Sequence, residues 1–162
     1  NLFNSFSELK ELKSYIEKYL IDYINIIGYE SNEFVIHSSW LNDSAKKSRL
    51  AFHLHSNSFV SANYYVNFDP KNHSLLDFKN DRAERKLMAG HQTIVIPNSK
   101  KLTTYNSTSV RIPAKEGQIL VWRSHMIHGY NVPNKTDNRI TLSLNAMPKV
   151  LNNGRYSFTV EE

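Results

Sequence analysis

Leu9, Leu12, Ile16, Tyr19, Leu20, Tyr23, Ile24 and Ile27 recur at three- and four-residue intervals up to Gly28. That period predicts one amphipathic α-helix over about residues 6–27, with Ser5-Phe6-Ser7-Glu8 supplying capping-box spacing at its start. Beyond Gly28 the pattern changes to short runs that read as strands. These are Phe34–Ile36, Arg49–His55, Val60–Phe68, Leu75–Phe78, Thr93–Ile96, Val110–Ile112, Ile119–Arg123, Arg139–Ala146 and Tyr156–Val160. Turn residues separate nearly all of them. A leading helix followed by eight or nine short strands predicts a mainly β fold, a sandwich or small barrel with the helix packed outside.

The alternation is clearest from Arg139 to Asn145. Ile140, Leu142 and Leu144 interleave with Arg139, Thr141, Ser143 and Asn145, so one side packs and the other faces solvent or a ligand. This strand by itself favours solvent.

At 162 residues the chain has room for one domain with a sizeable core and is short for two, so residues 1–162 are expected to form a single domain. No internal repeat, low-complexity tract or linker interrupts it. Apolar residues make up 40% and charged residues 22%, which excludes a disordered chain. No run approaches the ~18 apolar residues of a membrane span, and no basic segment leads into an apolar signal core, so the expectation is a cytoplasmic protein. The formal charge is +5, with basic residues scattered apart from short groups such as Lys46-Lys47-Arg49. Scatter favours a solvated surface over a nucleic-acid face and leaves anionic partners open. There are no cysteines. Any metal must therefore be held by nitrogen and oxygen ligands.

The candidate chemistry lies in "HLHSNS". Residues two apart on a strand point the same way, so His53 and His55 would project from one face, able to share a metal ion. Such a pair also arises without a metal, and the rest of the chain has to decide. His128 follows the strand-like run Gln118–Trp122 and is expected at a connection between strands. Eleven residues later Arg139 opens the alternating strand with Thr141 on the same side. A guanidinium fork beside a hydroxyl suits a carboxylate.

In order along the chain, "HLHSNSFVSANYYVN", "EGQILVW", "HMIHGYNVPN" and "RITLSLN" resemble the iron(II)/2-oxoglutarate-dependent oxygenases over roughly residues 34–147. Within that superfamily the chain looks closest to the prolyl-hydroxylase-like branch, to bacterial and phage members carrying H-x-H-x-x-S-x-x-S-G-x-Y-Y. His53, His55, Ser58, Ser61, Tyr64 and Tyr65 match, and Ala62 replaces the glycine. The resemblance implies a double-stranded β-helix, or jelly roll, over about residues 34–160. It implies a hydroxylase using Fe(II), 2-oxoglutarate and dioxygen on a small-molecule or protein substrate that the sequence does not name.

By the same resemblance His53, His55 and His128 are the metal ligands, although the wider family has Asp or Glu where His55 stands. Asp77 is a lower-ranked replacement carboxylate. Arg139 would bind the distal carboxylate of 2-oxoglutarate, with Thr141 and Tyr65 assisting and Asn63 on the same strand face as Tyr65. His125 is read as a wall of the site or a residue just behind it, and Trp122 and Tyr64 as core. Asn131 and Asn134 shape a loop, and His37, His73 and His91 take surface or ordinary hydrogen-bonding roles. Residues 79–92 form an insertion over the mouth or a plain surface loop. Two other classes stay open: a cupin-like metalloprotein without 2-oxoglutarate, which has no use for Arg139 with Thr141, and a binding module without turnover.

Overall fold

The computed structural model describes residues 1–79, 100, 101, 103, 107–152 and 154–161. The predicted strand Thr93–Ile96, His91 and the insertion from residue 80 onward lie outside the described residues.

The N-terminal helix is divided where the pattern predicts one piece. Helix α1 covers Leu2–Ser5, a 3₁₀ turn covers Ser7–Leu9, and α2 runs Lys10–Ile26. Phe6 sits between them in extended backbone, at φ −129° and ψ 110°. The predicted capping box does not form, because the Ser5 hydroxyl donates back to the Asn1 carbonyl at 3.2 Å and Phe6 makes no side-chain cap. The helix end is where Gly28 predicts it. Gly28 takes φ +85°, and Tyr29 N–H reaches back to the Ile24 carbonyl at 3.0 Å, closing carbonyls that the helix leaves open.

Ile16, Leu20 and Ile24 are spaced by one helical turn and are buried against Phe34, Ile36, Val60, Ala62, Leu142, Leu144 and Ala146. Truncating one of them to alanine would cost about 2–5 kcal/mol. Those partners come from β1 (Phe34–Ser44), β3 (Val60–Asn67) and β8 (Arg139–Pro148). With β6 (Ile119–Arg123) they form a four-stranded antiparallel sheet in the order β1-β8-β3-β6.

The second sheet contains β2 (Leu50–His53), β4 (Asp77–Lys79), β5 (Ser109–Arg111) and β7 (His128–Tyr130), ordered β2-β7-β4-β5 and antiparallel throughout. A hairpin of β9 (Val150–Asn152) and β10 (Ser157–Thr159) stands apart from both. The described chain is thus mainly β, with antiparallel sheets and a helical N-terminal segment. No described helix is long and apolar enough to cross a membrane.

Three strand expectations change. β1 runs on to Ser44 through a register shift between Ile36 and Ser38 that breaks the alternation. β2 ends at His53, leaving His55 outside it, and His128 opens a strand of its own. Leu142 and Leu144 of β8 face the helix layer, so Arg139, Thr141 and Asn145 lie on the other side, buried. The polar side of β8 therefore does not face solvent.

Candidate metal centre and anion pocket

β2 and β7 bring the first and last histidines together. They pair with Leu50 opposite Tyr130 and His53 opposite His128. Gly129 makes this approach close: a Cβ there would stand 2.7 Å from the Leu50 carbonyl oxygen and 3.0 Å from that of Ala51. His55 arrives differently, past the strand end, where its backbone N–H donates to the Ser124 carbonyl at 2.9 Å. The ring centroids are 4.4 Å apart for His53 and His128, 5.1 Å for His53 and His55, and 5.2 Å for His55 and His128. One nitrogen from each ring lies within 4.8 Å of the other two, a group able to hold a metal ion.

Hydrogen bonds orient two of the rings. His53 Nδ1 lies 2.8 Å from the Ala51 carbonyl, and His128 Nδ1 lies 2.9 Å from the Met126 carbonyl. A carbonyl only accepts, so each Nδ1 carries the proton and each Nε2 keeps its lone pair. Burial pushes the His128 imidazole down to about 4, against the Met126 carbonyl, with His53 and His55 adding to the fall. Burial, then His53, also lowers His55. Neutral imidazole is the form that binds a metal.

No carboxylate joins the trio among the described residues. Asp77 is held instead by Arg111, whose Nε and Nη2 reach its two oxygens at 2.7 and 2.9 Å. The donor set is three imidazoles, which suits Fe, Zn, Cu or Ni better than Mg or Ca.

The histidines open on a cavity of about 230 Å³ between the two sheets, lined also by Trp40, Asn42, Asn63, Trp122, Arg139 and Thr141. Asn42 Nδ2 donates to Ser143 Oγ, which donates to Asn63 Oδ1, both at 2.8 Å. Asn42 Nδ2 also lies 3.5 Å from Thr141 Oγ1. Arg139 is 3% exposed; its Nε donates to the Ser74 carbonyl at 3.0 Å, and its guanidinium carbon stands 4.9 Å from the Tyr130 ring centre. Burial lowers its pKa while Tyr130 and Tyr65 act to raise it.

No carboxylate among the described residues pairs with this buried cation, which is costly unless an anion arrives to meet it. Tyr65, opposite Thr141 in the β3–β8 ladder, is fully buried, and its hydroxyl meets no hydrogen-bond partner among the described residues. Burial raises its pKa and Arg139 opposes that. The Trp122 indole N–H is also buried without a partner among the described residues, its ring centroid 4.8 Å from that of His128. Three imidazoles, a buried guanidinium with no carboxylate beside it among the described residues and a buried hydroxyl fit a divalent metal with an anionic co-ligand.

A family model for 2OG-Fe(II) oxygenases matches residues 38–145, from β1 through β8. The chain belongs to this family. Membership implies Fe(II) as the metal and 2-oxoglutarate as the co-substrate. No curated protein matches the chain.

In this 2OG-Fe(II) oxygenase family member the sequence-predicted residues divide clearly. His53, His55 and His128 converge, and Arg139, Thr141 and Asn63 line the cavity they open on, with Tyr65 beside Arg139. His125 is exposed and does not line the cavity, which corrects the first of its two readings, a wall of the site. Met126 and Ile127 separate it from His128, and the chain turns after Arg123, where Met126 N–H bonds the Arg123 carbonyl. His73 is tied to the Asp69 N–H and the Asp137 carbonyl, each at 3.1 Å, and Asn134 accepts from Ser74 N–H at 2.8 Å, both loop-shaping roles. Tyr64 packs on the helix side.

Trp122 is buried as expected but also forms cavity wall. Trp40, Asn42 and Ser143 also line the cavity, beyond the residues the sequence pattern points to. Ser143 could have been found from the polar side of β8, and Asn42 from its place opposite that strand once β1 is extended.

Proposed function

We propose that this chain is an iron(II)- and 2-oxoglutarate-dependent dioxygenase on a double-stranded β-helix, hydroxylating or otherwise oxidising a substrate C–H bond. His53, His55 and His128 would hold the metal. Arg139 would take the distal carboxylate of 2-oxoglutarate bidentately, with Thr141 and the Tyr65 hydroxyl donating to it and Asn63 shaping the adjoining wall. The observation that carries the reading is the meeting of three imidazoles at one end of a cavity whose wall holds a buried guanidinium with no carboxylate partner among the described residues.

Bound iron and 2-oxoglutarate supply the oxidising chemistry by coupling co-substrate decarboxylation to attack on the substrate. The protein's part is placement and exclusion of water. Ala51 and Met126 carbonyls keep the Nε2 lone pairs of His53 and His128 available. The aromatic rings around Arg139 keep its charge poorly hydrated, which strengthens a carboxylate pair there. Resemblance to the prolyl-hydroxylase-like branch makes a peptidyl residue such as proline the substrate class to try first.

Anaerobic titration with iron(II) and 2-oxoglutarate tests the reading. A weak visible metal-to-ligand charge-transfer band should grow only when both are present. Folded protein that shows no band would overturn the cofactor assignment.

A further inference from the structure

The three histidines are not equally prepared for a metal. His53 and His128 each face a carbonyl, which cannot donate, so their Nε2 atoms are committed as lone-pair donors. His55 faces a carboxamide instead. Its Nδ1 lies 3.4 Å from Asn145 Nδ2. A carboxamide presents a donor at one corner and an acceptor at the other, and a half-turn exchanges them in the same space.

Asn145 is the end of a buried polar chain. Ser58 Oγ donates to Ser124 Oγ at 2.7 Å, Ser124 Oγ meets Ser61 Oγ at 2.9 Å, and Ser61 Oγ donates to Asn145 Oδ1 at 2.7 Å. Ser124, Ser61 and Asn145 are 0%, 1% and 5% exposed. With the donors running toward Asn145, its Nδ2 donates to His55 Nδ1, and the imidazole proton is forced onto Nε2, where it blocks a metal. With the donors running the other way, Asn145 Nδ2 donates to Ser61, its Oδ1 accepts from His55 Nδ1–H, and Nε2 is free. Each hydroxyl can donate or accept, so both directions satisfy the buried atoms, and half-buried Ser58 can pass its proton toward solvent.

We propose that Asn145 is a positioning residue for the third ligand. Metal binding selects the carboxamide orientation that accepts from His55, and it reverses the hydrogen-bond direction through Ser61, Ser124 and Ser58. The inference rests on His55 being a metal ligand. The histidine trio then has two committed members and one that is set by its neighbours.

The test compares the parent with Asn145→Asp, whose carboxylate can only accept, and Asn145→Leu, which keeps the size and loses the polar end. Zinc(II) affinity is measured by chelator competition, and the tautomer of each labelled histidine by nitrogen NMR before and after loading. On loading, the parent's His55 should move its proton from Nε2 to Nδ1 while His53 and His128 keep theirs on Nδ1. Asn145→Asp should show His55 Nδ1–H before metal is added and bind zinc at least as tightly as the parent. Asn145→Leu should bind about 10–100-fold more weakly, the usual cost of losing a partner behind a ligand. A parent that binds zinc with His55 unchanged in tautomer, or two variants with parental affinity, would overturn the positioning role. A folded parent that takes up no metal would overturn the ligand assignment beneath it.

Discussion

His53 and His128 are Cα partners in the β2–β7 ladder, and their rings stand with centroids 4.4 Å apart. The pairing joins positions far apart in the chain, so the distance between these two proposed ligands is set by strand register. His128→Ala should lower metal affinity by more than about 100-fold, beyond what outer partners of a ligand usually contribute. Chelator competition on folded protein measures it. Parental affinity in the variant would remove His128 from the ligand set.

Gly129 follows His128 and lies over the backbone of β2. Gly129→Ala puts a Cβ 2.7 Å from the Leu50 carbonyl oxygen and 3.0 Å from Phe52 Cα, and both are main-chain atoms that must shift. The strand carrying His53 is then pushed from the strand carrying His128. We expect a loss of about 1–3 kcal/mol in denaturant unfolding, together with weaker metal binding. Lower stability with unchanged metal affinity would show that this contact does not place His53.

The parts of this site that were legible in the sequence are those where local pattern and tertiary environment agree. The apolar run predicts β6 over Ile119–Arg123, its observed span, and β8 begins at Arg139 as its alternation predicts. The pattern predicts β1 only to Ile36, because its later residues are polar where they line a cavity and the shift between Ile36 and Ser38 breaks the period of two. Trp40 and Asn42 were lost with it. The convergence of His53 and His55 was anticipated for a reason that only half holds. β2 stops at His53, and His55 is placed by its hydrogen bond to the Ser124 carbonyl, a contact between distant segments. Phe6 divides the helix through backbone conformation that hydrophobic spacing does not encode.

Arg139→Ala should weaken 2-oxoglutarate binding to metal-loaded protein while leaving metal affinity near parental. Removing one partner of a buried charge pair costs about 2–5 kcal/mol, roughly thirtyfold to several thousandfold in Kd. Arg139→Lys should recover little of it, because the ammonium lacks both the planar fork and the fit among Tyr65, Phe68 and Tyr130. Calorimetric titration of the manganese(II)-loaded protein reads the effect. Equal 2-oxoglutarate affinity in parent and alanine variant would remove Arg139 from the co-substrate site.

Asp77 is the sequence's other candidate for a metal carboxylate, and its bidentate pair with Arg111 already occupies both oxygens. Asp77→Asn should therefore leave metal affinity unchanged. The Arg111 side chain is 49% exposed, so solvent screens the pair, and the stability cost should be only about 1 kcal/mol. A fall in metal affinity of about 100-fold or more, roughly 2.7 kcal/mol and well above that screened effect, would place Asp77 among the ligands.

Metal-free protein should lose stability as the pH falls from neutral. Burial takes His128 from its ordinary 6.5 down to about 4, so between those values the unfolded chain binds a proton that the folded one refuses. Stability rises with pH wherever the unfolded state binds more protons, so His128's contribution is complete above about 6.5 and is lost progressively toward about 4. The loss from this group has a ceiling of about 3 kcal/mol. His37 and His55, also lowered chiefly by burial, act in the same direction. Urea midpoints of chelator-treated protein, taken from neutral pH to about pH 4.5, should fall more steeply for the parent than for His128→Gln, which cannot take up that proton. Parallel curves would mean that the His128 imidazole is charged as readily inside the fold as outside it.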